Sequence, residues 1–489
     1  MSADLLFSAD PTQRGIAREL FAAAEPLPLI CPHGHIDPFL LADDQPFGDP
    51  AQLLIVPDHY LTRMLLSQGV PPSRLGVPTI NGEPVETDGR TIWRTFAEHW
   101  HLFRGTPSRL WLEKTFADVF GVETPLRPAT ADELYDALAD RLARPEFRPR
   151  ALFERFGIEL LATTESPLDD LSAHTVLADA GWGGPGGRVI TTFRPDDVVD
   201  MDWAGWADRV ARLGEIAGQD TATYPGYLAA LRRRREAFAK SGATSTDHGH
   251  MTARAVDLDP ADAAAIYQRG LLGTATAADA EAFRGHMLIE FARMSIDDGL
   301  VMQLHPGSVR NHNTWLHDTH GRDAGGDIPQ ATEYVHGLRP LLEAFGNDPR
   351  FTLVVYTLDE TAFSRELAPL AGGYAAMYLG SPWWFLDAPH ALRRFREAVT
   401  ETAGFYNTAG FVDDTRAFCS IPVRHEIARR VDAAYLASLV VEHLLPLDEA
   451  VETMMDIAYW LPKRIFRLLR GAPPPAYPPP GSPTAGGNR

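Results

Sequence analysis

Two histidines at the end of an apolar run are the first residues that suggest metal chemistry. The run PLPLICPHGH ends with His33 and His35, and residues two apart on a strand point to the same side. Both imidazoles can therefore reach one ion. A His-x-His pair by itself is more often an ordinary surface or core feature, so this interpretation needs a further ligand from elsewhere in the chain.

Two adjacent acids near the carboxyl end are the candidates for that further ligand. Asp413 and Asp414 lie in the run GFVDDTR. If eight strands close into a barrel, the last strand lies beside the first, and an acid at its end faces the same ion as His33 and His35. This argument leaves open which aspartate binds the ion, because both are available.

The elements that would position these residues follow from a recurring pattern of apolar runs separated by helical stretches. The runs lie near 27–35, 157–165, 188–196, 243–250, 299–307, 351–360, 375–384 and 410–416. This alternation is typical of strand and helix units around a parallel sheet. It predicts an α/β fold, a modified TIM (β/α)8 barrel with its chemistry at the carboxyl ends of the strands. An open doubly wound sheet is the alternative.

A long interval with helical periodicity separates the first two runs and predicts a helical insertion after the first strand. We divide the chain into a first segment with the first barrel strand, a mostly helical insertion domain, the remainder of the barrel, and a tail rich in Pro and Gly that we expect to be disordered. The proposed boundaries are 1–36, 37–155, 156–470 and 471–489.

The charge and composition of the chain disfavour some classes of binding partner. The chain has 45 basic and 65 acidic residues, a formal net charge of −20, which disfavours nucleic acid and anionic membrane surfaces. An anionic small substrate would need specific arginines to hold it. Cys31 and Cys419 are the only cysteines, so a disulfide framework is not expected, and without an apolar leader or span we expect a cytoplasmic protein. The sequence leaves open whether the chain forms a homo-oligomer.

Several separated motifs together resemble one family. They are HGH at 33–35, DHY at 58–60, TTESPLDDL at 163–171, FRPD at 193–196, STDHG at 245–249, HPGSVRNHN at 305–313, GSPWWF at 380–385, DDTRAF at 413–418 and RHE at 424–426. From the first strand to about residue 430 the chain resembles the uronate isomerases of the amidohydrolase superfamily. The resemblance implies an aldose–ketose isomerase that interconverts glucuronate with fructuronate, galacturonate with tagaturonate, or both, through a cis-enediol.

The resemblance also implies a ligand set. His33, His35 and Asp414 would bind one divalent ion, with zinc as the expected metal. The usual family pattern at 413–416 is Thr-Asp-Ser-Arg, whereas this chain has Asp-Asp-Thr-Arg, so Asp413 stays a rival ligand. We favour Asp414 because it matches the family's ligand position, two residues before the arginine, and Asp413 better fits a cap of the following helix.

Catalytic roles follow from the same resemblance. An aldose–ketose isomerase must remove a proton beside a carbonyl, so it needs a placed base and a means of neutralising the enediolate. Asp414 would take the C2 proton, and Tyr60 and Arg416 would move or stabilise protons between O1 and O2. His59 would position substrate oxygens. Without the resemblance, DHY at 58–60 would be an ordinary helix start with Asp58 as its cap.

Candidate contacts to the substrate follow the strand ends. Arg310 is the first choice to bind a carboxylate bidentately, because it follows the fifth strand, which ends at His305, in a segment of small residues. Of Trp383 and Trp384, which alternate in facing, at most one is expected to line the pocket, and we choose Trp384.

Two further sites each leave two interpretations open. Arg194 is either a second anion-binding residue or an ion-pair partner of Asp196 or Asp197. His248 and His250 repeat the His-x-His spacing at the fourth strand, so a second metal there is the less favoured alternative to a structural role.

Two rival functions remain for the whole chain. The first is a metal-dependent hydrolase of the same superfamily that acts on a sugar-acid derivative. The second is a binding protein for sugar acids that has lost catalysis. The set of arginines together with Tyr60 favours the isomerase, because hydrolysis does not require them. The physiological uronate is not indicated by the sequence.

Overall fold

The computed structural model describes residues 2–182 and 188–469. The tail expected to be disordered, 471–489, lies outside the described residues.

Parallel strands form the centre of the described part of the chain, which contains nine strands. They are β1 Leu29–Cys31, β2 Ile158–Ala162, β3 Arg188–Ile190, β4 Ser245–His248, β5 Val301–Leu304, β6 Ser308–Val309, β7 Ile328–Pro329, β8 Leu353–Val355 and β9 Met377–Leu379. One parallel sheet has the order β1-β2-β3, a second has the order β4-β5-β8-β9, and β6 and β7 form a small antiparallel pair. The predicted α/β fold with parallel strands is therefore confirmed, whereas β6 and β7 were not predicted.

Backbone contacts connect the two parallel sheets and bring the first and last predicted runs together. Phe193, just after β3, forms a parallel bridge with Thr246 in β4. The N–H of His35 donates to the carbonyl of Thr415 at 3.0 Å. The carboxyl end of β1 therefore lies beside the segment that carries Asp414.

The run near 410–416 is the predicted strand that does not form a regular strand. Thr408 makes a single parallel bridge with Leu379 of β9, and the residues after it are extended without a ladder. Gly410 and Asp414 both have positive φ, 76° and 39°, which interrupts the β conformation on each side of this short segment. The prediction of a strand here is wrong, because the segment lacks the ladder of hydrogen bonds that defines a strand. The segment nevertheless lies beside β9.

Helices surround these strands, and seven of them lie between β1 and β2, where the described chain has no strand. The α-helices are Pro11–Ala24, Pro38–Asp43, Pro50–Leu54, His59–Leu66, Gly89–Glu98, Pro107–Lys114, Ala131–Leu142, Pro149–Arg155, Ser172–Asp179, Asp196–Val199, Trp206–Ala217, Tyr224–Lys240, Pro260–Leu271, Ala277–Asp298, Thr314–His320, Arg339–Phe345, Ala368–Gly373, Pro389–Ala403, Ile421–Val441, Leu447–Met455 and Leu461–Ile465. Among the described residues, no helix combines the length and apolar character that a membrane span requires.

Local sequence explains where several helices begin. Asp37, Asp49 and Asp259 each precede a proline at the first helical position, and each side chain accepts a backbone N–H of the first turn. An N-cap acid followed by proline satisfies one free donor and needs no N–H from the proline. The helices between β1 and β2 share a buried apolar cluster with β1 and β2, in which Trp93 and Leu161 are fully buried.

Candidate active site

The three predicted metal ligands converge at the carboxyl end of β1. The Nε2 atoms of His33 and His35 lie 3.4 and 3.2 Å from Oδ1 of Asp414. Donor atoms about 2.0–2.2 Å from one tetrahedral ion are about 3.3–3.6 Å apart, so these separations suit ligands that share an ion. His33 is buried, and Oδ1 of Asp414 is buried without a well-aligned hydrogen bond from any described residue. The donor set and its geometry therefore fit a divalent cation.

The backbone conformation and the charge of Asp414 suit a carboxylate that binds a ligand. Its φ of 39° lies in the left-handed region, which a residue other than glycine adopts at a cost and which is frequent at functional sites. Burial opposes ionisation of Asp414, but His33 and His35 beside it hold its pKa well below the usual range. The carboxylate is therefore ionised at neutral pH.

Asp413, the rival ligand, faces away from this centre. Its Oδ1 lies 3.2 Å from Nε2 of His425, and the same Nε2 lies 3.4 Å from Sγ of Cys31. All three side chains are buried. The expectation that Asp413 caps the following helix is wrong, because Ala417 is the residue that precedes the next helical turn and His425 takes the carboxylate instead.

His59 and Tyr60 reach the same cavity from the start of the helix His59–Leu66. Asp58 is the N-cap, as predicted, and its Oδ1 accepts the N–H groups of Tyr60 and Leu61 at 2.8 and 3.3 Å. Burial, with Arg416 nearby, lowers the pKa of His59 to about 4, so this imidazole is neutral at pH 7. Burial raises the pKa of Tyr60, so its phenol stays protonated.

Asp247 was missed by the sequence analysis, although it lies between several predicted site residues. This buried carboxylate, in β4, is 2.7 Å from Nδ1 of His305, 3.2 Å from Nη1 of Arg194 and 3.9 Å from Nε2 of His33. Strand alternation was a partial signal, since only one of the neighbours Asp247 and His248 can face the cavity, and only His248 was considered.

Seven arginines line the cavity, and the three that were predicted from the sequence each lie beside an acid. Arg194 Nε contacts Asp196 at 2.8 Å, so the predicted ion pair is present although Arg194 also faces the cavity. Arg310 Nη1 lies 2.8 Å from Asp327, and Arg416 Nη2 lies 3.1 Å from Asp323. The loop that carries the last two acids was not singled out from the sequence.

Both tryptophans after β9 line the cavity, so the expectation that at most one would do so is wrong. The Trp384 ring lies 5.7 Å from His59 and 5.3 Å from the guanidinium of Arg310. The Trp383 ring packs against His305 at 4.8 Å. Trp384 has a φ of 50°, so the backbone does not continue as a strand and the two side chains need not face opposite ways.

His248 and His250, the second His-x-His pair, are turned away from the metal ligands. His248 Nε2 lies 2.9 Å from Oγ1 of Thr246, and its ring packs on Phe291. The two imidazole rings are 6.1 Å apart. Within the described ranges, neither belongs to a group of ligand atoms close enough to share an ion, so the structure offers no support for a second metal there.

All ten site residues singled out from the sequence line one cavity of about 1230 Å³. They are His33, His35, His59, Tyr60, Arg194, His305, Arg310, Trp384, Asp414 and Arg416. The cavity thus joins three side chains that fit a metal ion, a protonated phenol, a neutral imidazole and seven arginines. This combination suits proton transfer on an anionic small molecule.

Comparisons with known proteins identify the family. The family model described as glucuronate isomerase matches residues 8–466. A uronate isomerase from Rhizorhabdus wittichii is 58% identical over 465 residues, which cover 95% of this chain and 98% of that protein. The crystal structure of glucuronate isomerase from Caulobacter crescentus has a TM-score of 0.94 at 52% identity, covering 96% of this chain and 98% of that one.

A more distant solved structure shows the same relation. The uronate isomerase from Thermotoga maritima has a TM-score of 0.88 at 28% identity, covering 95% of this chain and 99% of that one. The chain therefore belongs to the glucuronate isomerase family.

Proposed function

We propose that this chain is an aldose–ketose isomerase that interconverts D-glucuronate with D-fructuronate, D-galacturonate with D-tagaturonate, or both. The observation that carries the proposal is the convergence of His33, His35 and Asp414 in a cavity that is also lined by the three arginines predicted from the sequence. Family membership favours this reaction over the alternative of a hydrolase on the same scaffold.

His33, His35 and Asp414 would hold one divalent ion, for which we propose zinc. Bound there, the ion would supply Lewis-acid polarisation of the substrate carbonyl. Support for this ligand set comes from the separations of 3.2 and 3.4 Å between imidazole nitrogens and the carboxylate oxygen.

Proton transfer is assigned to the chain's own side chains. Asp414, ionised at neutral pH, would take the proton from C2 and return it to C1 through a cis-enediol. Tyr60 would donate its phenolic proton to O1 and regain a proton from the O2 hydroxyl, and Arg416 would stabilise the negative charge that develops on these two oxygens. His59, neutral at pH 7, would position these oxygens by hydrogen bonding.

Substrate binding is assigned to other side chains that line the cavity. Arg310 would bind the carboxylate of the uronate, with Arg194 as the second cation. His305 would hold substrate hydroxyls, and Trp384 would cover the sugar face and the Arg310 guanidinium, which lies 5.3 Å from its ring.

The scaffold proposed for this site is a closed (β/α)8 barrel in which residues 37–155 form a helical insertion after β1. The bridge between Phe193 and Thr246 and the hydrogen bond between His35 and Thr415 support closure at both junctions. A cytoplasmic location is part of the proposal, because Cys31 and Cys419 are both free and buried.

The proposal is tested by incubating the purified, zinc-loaded protein with each uronate in deuterated water and following the products by NMR. We expect the corresponding ketose, with solvent deuterium at C1 to an extent set by how fast Asp414 exchanges its proton. No ketose from any uronate would contradict the function. No deuterium uptake after many reversible turnovers, together with full activity of metal-loaded Asp414→Asn, would contradict the mechanism.

A further inference from the structure

One carboxylate of the chain lies between two of the guanidinium groups in the cavity. Oδ2 of Asp323 is 3.1 Å from Nη2 of Arg416, and Oδ1 of the same side chain is 4.0 Å from Nη1 of Arg310. A carboxylate that directs one oxygen to each of two arginines has the arrangement that an anionic ligand would adopt in the same place.

Asp327, the other acid beside Arg310, differs from Asp323 in ways that indicate a fixed structural role. Asp327 is 4% exposed, and it accepts hydrogen bonds from Nη1 of Arg310 at 2.8 Å and from the N–H of Asn311 at 2.7 Å. The Asp323 side chain is 47% exposed. Asp327 therefore orients Arg310, whereas Asp323 is a partly solvated partner that another anion could replace.

The backbone around Asp323 allows such a replacement. The residue itself has a φ of 58°, and Gly321 and Gly325 have φ values of 81° and 93°. Glycine adopts these and many other conformations at little cost. The segment between the helix Thr314–His320 and β7 is therefore built from residues that can take up a second arrangement.

The charge of Asp323 is maintained at neutral pH. Burial opposes ionisation, but Arg416 and Arg310 lower its pKa to about 2. The two guanidinium groups are thus partly neutralised by the chain's own carboxylate, which lies in the cavity that also contains the predicted metal ligands.

We propose that Asp323 occupies the anion site between Arg310 and Arg416 as an internal substitute for the anionic groups of the substrate, and that a uronate displaces it on binding. The inference rests on the proposed function, because that function assigns the substrate carboxylate to Arg310 and the negative charge that develops on O1 and O2 to Arg416. The physical consequence is a lower affinity of the two arginines for anions. Every anion that enters must compete with Asp323, so the arginines hold substrate and product less tightly than they would if they were uncompensated.

The test compares Asp323→Asn with the wild type and with Asp318→Asn. Asp318 is a matched control, because it lies in the same stretch of chain with a side chain that is 78% exposed. For Asp323→Asn we expect the KM of the uronate to fall roughly two- to fivefold, the scale of a partly exposed ion pair, with kcat retained. Asp318→Asn should match the wild type in both constants.

A binding measurement makes the outcome independent of turnover. Calorimetry with gluconate, a sugar acid without the aldehyde, should show tighter binding to Asp323→Asn by a similar factor, while neutral glucose should show no change. Asp323→Ser also removes the charge and should shift gluconate binding in the same direction, so a folding defect in one variant does not decide the result.

Two results would overturn the inference. A higher KM or a kcat lowered more than about tenfold, with gluconate binding unchanged or weaker, would make Asp323 a support that orients Arg416. Equal gains for gluconate and glucose would indicate a wider cavity and not a vacated anion site. If the wild type isomerises no uronate, the proposed function fails, but the gluconate and glucose titrations still decide the role of Asp323.

Discussion

Asp413 and Asp414 are neighbours in the chain, yet their carboxyl groups lie in different environments. The Asp414 carboxylate contacts the imidazoles of His33 and His35, whereas the Asp413 carboxylate is buried against His425. The left-handed φ of Asp414 separates the two directions. A change at one position should therefore have consequences unlike those of the same change at the other.

We expect Asp414→Asn to lose tightly bound metal, or to lower kcat by about 10²–10⁴-fold, the usual contribution of a placed acid–base group. Asp413→Asn should retain the metal, and its main effect should be a loss of stability of about 1–3 kcal/mol, because it alters a buried hydrogen-bonded carboxylate. Elemental analysis, steady-state kinetics and urea unfolding measure these effects. A reversed pattern, with Asp413→Asn the variant that loses the metal, would show that the ligand assignment is off by one residue.

Arg310 should be sensitive even to replacement by lysine. Arg310→Lys keeps the charge but removes the planar fork that binds a carboxylate bidentately, so we expect kcat/KM for a uronate to fall about tenfold. Arg339→Lys is the matched control, because Arg339 is exposed and pairs only with Glu343 in its own helix among the contacts of the described chain. Unchanged kinetics for Arg310→Lys would move the carboxylate-binding role to Arg194.

Single residues were easier to predict than their partners. His33, His35 and Asp414 lie together as predicted, because strand alternation and family motifs point to them. Asp323 and Asp327 were not predicted, because their positions depend on a loop whose conformation is set by tertiary contacts and not by periodicity. Asp247 is a different case, since alternation at β4 leaves either Asp247 or His248 to face the cavity.

At the scale of elements, the short helix His59–Leu66 carries two site residues at its first positions, so its cap affects the site directly. Asp58 accepts two backbone N–H groups there. Asp58→Ala should lower stability by about 1 kcal/mol and should also lower kcat, because His59 and Tyr60 lose their fixed position. Asp58→Asn should keep both, since asparagine caps as well as aspartate. Equal kcat in the Ala and Asn variants would show that the cap does not position the site.

The same cap predicts a dependence of stability on pH. Burial raises the pKa of Asp58 from 3.8 to about 6, so the folded state binds more protons than the unfolded state between about pH 4 and pH 6. The contribution of Asp58 to stability is therefore present below pH 4 and falls as the pH rises through this window. Urea unfolding from pH 4 to 7.5 should show this decline in the wild type and a flatter profile in Asp58→Asn. Parallel profiles would contradict it.

Elements were predicted well where a candidate run forms a ladder with a neighbouring strand. The runs of β1, β2, β3, β4, β5, β8 and β9 were located correctly, and most of them are short apolar runs, as buried parallel strands are. The run near 410–416 reads as a strand for the same reason. The apolar content of this run does not reveal the positive φ values of Gly410 and Asp414. The glycine itself was a sign that a strand could be interrupted there.

At the scale of the whole molecule, the proposed metal ligands come from opposite ends of the chain, so the ion should stabilise the complete fold. We expect chelation to lower the urea midpoint and added zinc to restore it, with a difference of about 2.7 kcal/mol at a free metal concentration 100 times the dissociation constant. Asp414→Asn should show little of this shift. An equal shift in that variant would indicate that the metal acts elsewhere.

The separation of the ligands along the chain also has a consequence for biosynthesis. His33 leaves the ribosome about 380 residues before Asp414, which corresponds to a delay of roughly 20–80 s at about 5–20 residues per second. During that interval the nascent chain holds two imidazoles without their carboxylate. Zinc should therefore be captured only at the end of synthesis, and ribosome-bound chains stalled before residue 414 should contain far less zinc than released chains. Comparable zinc in both would mean that the two histidines recruit the ion early.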